Sequence, residues 1–81
     1  MRPGDLLRSR SDLVGSPVTL TTRWDERARR EWDSEEHAFS RDDTFLVVGQ
    51  LPSGVWLVLL NGATLFYADI AWLKGNLRTI A

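Results

Sequence analysis

The sequence predicts a mainly β fold of small-barrel type, and three features of the stretch 44–73 predict it. Three runs there, 45–50, 55–60 and 64–68, are rich in β-branched, aromatic and aliphatic residues. Turn chemistry separates them. Pro52 and Gly54 suit the first connection, because Pro presets φ and Gly accepts positive φ, and Asn61-Gly62 is the pair best able to hold φ > 0 at both centres of a type I′ hairpin turn. The third feature is alternation: Phe45 and Val47 point one way and Leu46 and Val48 the other, while Val55, Leu57 and Leu59 oppose Trp56, Val58 and Leu60. A half-solvated sheet would be polar at every second residue. Here both faces are apolar, so the outer face needs cover from elsewhere in the chain or from another molecule.

The remaining elements follow in order. Pro3-Gly4 is a turn, and 5–10 reads as a short edge strand whose Arg and Ser residues face water. Gly15-Ser16-Pro17 breaks the chain before a second short β-rich run, Val18-Thr19-Leu20-Thr21-Thr22. Residues 23–37 change character. Thr22 with Asp25 resembles a capping box, Trp24, Ala28 and Trp32 fall on one helical stripe, and Glu26 with Arg30 is a favourable i,i+4 pair. A short helix is expected there, the competing picture being an irregular excursion pegged by its two indoles. Arg41-Asp42-Asp43 is the turn into the meander. After it, 69–73 suits one short helical turn, Gly75-Asn76 reverses the chain, and 77–80 forms a last strand.

At 81 residues the chain is expected to be one domain, 1–81, of a size that buries only about 60% of the unfolded surface. It has no cysteine, which excludes a disulfide framework, a thiol nucleophile and a cysteine zinc site. No apolar run approaches the roughly 20 residues of a membrane span, and the amino terminus lacks the apolar core of a secretion signal, so a soluble protein away from membranes is expected. Net charge is −1, divided as +1 over 1–20, −3 over 21–43 and +1 over 44–81. Neither a polybasic nor an acidic tail is present.

With these pieces assembled, AFSRDDTFLVVGQ followed by GVWLVLLNGATLFYADIAWLKGNLRTI, covering 38–80, resembles a Src-homology-3-like small β-barrel. PGDLLRSR is similar to the opening strand of short barrel proteins of bacteriophage genomes, whose first and last strands pair. The resemblance implies a five-stranded barrel with a 3-10 turn before the last strand and with 23–37 as an insertion. It also implies a structural or accessory role in a phage or mobile element, and a place in the cytoplasm or, if phage-encoded, in the virion. The signalling members' early Tyr-bearing strand has no counterpart, since the run 18–22 contains no Tyr. Trp56 and Tyr67 are what remains of their aromatic groove, so proline-rich ligands are not expected.

No catalytic constellation is legible. His37 is the sole histidine, the carboxylate pairs Glu35-Glu36 and Asp42-Asp43 lie in hydrophilic sequence, no hydroxyl has a legible base partner, and the glycines are scattered singly. The expectation is a non-enzyme with no cofactor, no metal and no small-molecule substrate. Four tryptophans in so short a chain, with apolar faces in excess of one core, point to docking on a protein partner or on copies of itself, with Trp24, Trp32, Trp56, Tyr67 and Trp72 as anchors. The alternative is a nucleic-acid-associated domain in which Arg2, Arg8, Arg10, Lys74 and Arg78 converge on one edge and contact phosphates.

Overall fold

The computed structural model describes residues 1–80, and 51% of the chain is strand. Strand β1 (Leu6–Ser9) leads through a short 3-10 helix (Ser11–Leu13) into a long hairpin, β2 (Pro17–Asp25) and β3 (Arg30–Ala38). The meander follows as β4 (Phe45–Gln50), β5 (Trp56–Leu60) and β6 (Thr64–Ala68), and helix α1 (Ile70–Asn76) connects to β7 (Leu77–Thr79). All pairings are antiparallel, and the strand order is β3-β2-β6-β5-β4-β1-β7.

This is an open sheet of seven strands, and the expected five-stranded closed barrel is not formed. Closure needs the two outer strands to pair. Here β7 matches its three residues to β1, while the opposite end is carried outward by β3. β1 consequently lies between β4 and β7 and is not the edge strand expected. Its facing is also the reverse of the expected one for serine: Leu7 and Ser9 are buried, and Leu6 and Arg8 point outward.

Residues 23–37 form neither a helix nor a separate insertion, because cross-strand pairing outcompetes the helical stripe. Thr19 pairs with Glu36, Arg23 with Asp33 and Asp25 with Arg30, and the hydroxyls of Thr19 and Thr21 donate to Glu36 (3.0 Å) and Glu31 (2.8 Å). A helical Glu26–Arg30 pair contributes only a few tenths of a kcal/mol, whereas each favourable cross-strand pair adds about 0.2–1 kcal/mol and β2 gains a second neighbour in β6. Asp25 does cap, but it caps the hairpin turn: its carboxylate accepts from the Ala28 N–H at 2.9 Å, and Arg29 completes the reversal at φ 53°.

The turns of the meander follow the sequence closely. Asn61 and Gly62 both sit at positive φ, 54° and 69°, and the Ala63 N–H donates to the Leu60 carbonyl at 3.0 Å, as a type I′ turn requires. The expected 3-10 turn after β6 is instead a seven-residue α-helix capped by Asp69, whose carboxylate accepts from the Trp72 N–H at 2.7 Å; Gly75 and Asn76 are its last residues. Helix α1 lays Leu73 and Trp72 over the inward face of the sheet. There Phe45 stacks edge-on with Phe66 (6.1 Å) and Phe39 (6.1 Å), and Phe66 contacts Trp72 (5.4 Å). Leu7, Leu20, Val47, Val58, Leu60 and Leu77 complete this one-sided core.

Candidate docking face

The opposite face of the sheet is also apolar, and little covers it. Pairing aligns Leu6 with Leu46, Leu46 with Leu59, and Leu59 with Leu65. The Ile80 N–H donates to the Leu6 carbonyl at 3.1 Å, which sets Ile80 beside Leu6. Opposed residues in an antiparallel ladder share a face. The result is an unbroken aliphatic row, Ile80-Leu6-Leu46-Leu59-Leu65. Leu6, Leu46, Leu65 and Ile80 are each close to 40% exposed, with Val48 at 44% in the flanking row beside Leu57 and Tyr67. The β2–β3 hairpin extends the sheet sideways and leaves this row open.

The aromatic anchors named from sequence are dispersed over three environments. Trp56 is a core residue, and Trp72 lies half-buried against Phe66 and Phe39. Trp24, Tyr67 and Trp72 line one concavity of about 160 Å3 with Thr19 and Asp69. Trp32 stands on edge strand β3, 62% exposed, its indole N–H donating to Asp25 at 3.1 Å and the Arg30 guanidinium 5.8 Å from its ring centre. The face itself is made of aliphatic residues that the sequence marked as needing cover, through the double apolar phase of β4 and β5, but did not name as anchors.

Two carboxylates pin the loops that frame the sheet. Asp43, 4% exposed, accepts from the Ser40 N–H (2.9 Å) and Asn61 Nδ2 (3.0 Å) and contacts His37 Nε2 at 2.7 Å, joining the end of β3, the β3–β4 loop and the β5–β6 turn. Burial pushes this carboxyl up, but the bonds from Asn61, His37 and Ser40 together hold it below the usual aspartate range. Glu26 accepts from the Ser53 hydroxyl (2.6 Å), the Ser53 N–H (2.8 Å) and Trp24 Nε1 (2.9 Å), and these bonds, Ser53's first, also lower its pKa. No hydroxyl bonds the His37 imidazole and no cluster of three metal-ligating side chains occurs among the described residues.

The five cations named for a nucleic-acid edge lie around β1, β7 and the end of α1. Arg8 and Arg78 face each other across β1 and β7, and Lys74 borders a separate concavity with Arg78. Arg10 turns to Asp12 (3.4 Å) and to the Gly75 carbonyl at the end of α1 (3.4 Å). The Arg2 backbone N–H bonds Asp5 at 2.8 Å in the turn before β1. No helix among the described residues is long and apolar enough to cross a membrane.

Compared with protein-family models, curated proteins and solved structures, the chain matches none. The likeness to Src-homology-3-like barrels and to bacteriophage barrel proteins therefore fails on both grounds: the sheet is open and seven-stranded, and no relative stands behind the sequence likeness.

Proposed function

We propose that the protein is a non-enzymatic assembly module that docks through its outward aliphatic row, and that the occupant of that row is a second copy of the chain. The observation that carries this reading is the row Ile80-Leu6-Leu46-Leu59-Leu65, continuous across the sheet and left without cover. The exposed parts of these residues and of Val48, Leu57 and Tyr67 make a patch on the order of 400 Å2, within the range of functional patches on small proteins. That is about half of the roughly 800 Å2 that each partner contributes to a standard interface, whose remainder is a polar rim.

A second copy fits the chemistry of the row. The row itself contains no charged residue, the nearest charges on this face being Arg8 and Arg78 at its β1–β7 end, and flat sheets stack face to face at about 10 Å with interdigitating aliphatic side chains. A two-fold arrangement uses the same patch on both partners.

Sedimentation velocity from micromolar to submillimolar concentration tests the reading. A mass that doubles with concentration, and that returns to one chain when Leu46→Asp places a charge in the middle of the row, is the expected result. A single-chain mass throughout overturns the self-docking reading.

A further inference from the structure

A second feature borders the docking face, in the outward row next to Leu6 and Ile80, where β1 and β7 meet the β3–β4 loop. We infer that Arg8, Arg41 and Arg78 form a binding site for a phosphate dianion, either free phosphate or the phosphoryl group of a small phosphomonoester.

Arg8 and Arg78 are direct partners in the ladder, and like charges set opposite each other destabilise a sheet. Neither forms an ion pair with a carboxylate among the described residues, and Arg41 does not either. The three line one concavity of about 330 Å3 with Ser9, Ser11 and Val14. Ser9 alternates to the inward face of β1, so its buried hydroxyl is turned away from the outward Arg8 and the arginines alone supply the donors. Arg41 comes from a loop held in place from beneath: Asp43 accepts from the Ser40 N–H at 2.9 Å, and the Ser40 hydroxyl accepts from the Asp42 N–H at 3.3 Å. The concavity is thus lined by three arginines from three chain segments, two of them on paired strands and one on a pinned loop.

Guanidinium forks match tetrahedral oxyanions, donating two N–H groups to two oxygens. An anion between the three would turn their mutual repulsion into shared attraction. A single compact anion fits better than a nucleic-acid strand. A strand needs cations spaced along a track and aromatic faces for its bases, but Arg2, Arg10 and Lys74 lie outside this concavity and Val14 is the one apolar residue lining it.

The test is titration of the 15N-labelled chain with inorganic phosphate, and in parallel with phenyl phosphate and a short single-stranded oligonucleotide, all at matched ionic strength against chloride. Saturable amide shifts confined to the neighbourhood of Ser9, Ser11 and Arg41 are expected with phosphate. Tighter binding of phenyl phosphate would identify a phosphomonoester as the fitting ligand, and equal binding would identify free phosphate. Arg41→Ala removes an exposed loop side chain outside the strand ladder and should weaken phosphate at least about tenfold, the scale of one lost charge-assisted bidentate contact. Arg2→Ala should bind as the parent does. Absence of shifts beyond those caused by chloride, undiminished binding by Arg41→Ala, or oligonucleotide binding that exceeds phosphate and falls with salt as several contacts at once would each overturn the inference.

Discussion

Asp43→Asn isolates the contribution of a buried carboxylate. The replacement keeps the shape but substitutes an N–H donor for an acceptor in a site where Ser40 N–H, Asn61 Nδ2 and His37 Nε2 already converge. One oxygen can still accept; the other position now opposes a donor. Hydrogen bonds to a charged group contribute about 1.5–3 kcal/mol each, and a buried donor left unsatisfied costs about 1–3 kcal/mol. Allowing for relaxation of the Asn61 side chain, a loss of about 2 kcal/mol is expected, a large share of the stability of a chain this short. At roughly 4–8 °C per kcal/mol for a domain of this size, Tm should fall by about 10–15 °C. The sign with pH follows from the lowered carboxyl. Its stabilisation is complete above the unfolded-state value and is lost as pH falls through the folded-state value, so the parent should lose stability as pH falls below the ordinary aspartate range on this account. Urea unfolding followed by tryptophan fluorescence from neutral pH down through that range measures both effects. The reasoning is refuted if the Asp43→Asn variant loses under about 0.5 kcal/mol at neutral pH, or if the acid limbs of parent and variant run parallel throughout.

Further outcomes can be checked by the same unfolding measurements. Gly62→Ala meets no atom within 4 Å, so its cost is that of a left-handed backbone alone, about 1 kcal/mol at φ 69°. Phe66→Ala opens the centre of the aromatic cluster and should cost about 3–5 kcal/mol, enough to leave a substantial unfolded population at physiological temperature. Trp32→Ala, on a side chain 62% exposed, should change stability by less than about 0.5 kcal/mol, which hydrogen exchange across β3 would register as unchanged protection. Ser53→Ala removes the 2.6 Å hydroxyl contact to Glu26 and should raise the Glu26 pKa toward that of a free glutamate, readable by carboxyl-detected NMR titration.

What the sequence by itself determined is local. The meander, its Pro-Gly and Asn-Gly turns and the helical segment after β6 were all legible, because turn residues and β-rich runs act over a few residues. The surplus apolar face was legible too, from the double alternation of β4 and β5. Only the tertiary structure decided the rest. Residues 23–37 carry a helical stripe in their own stretch, and pairing with β2, which itself pairs with β6, makes them strand instead. Whether the sheet closes depends on whether β7 reaches past β1 to the far end, a matter of distances between segments remote in the chain that no local propensity encodes. The same holds for the gathering of Arg8, Arg41 and Arg78 and for Asp43 beneath its loop: each residue looked solvated in its own stretch, and register and loop path, set by burial of the aromatic core, brought the groups together.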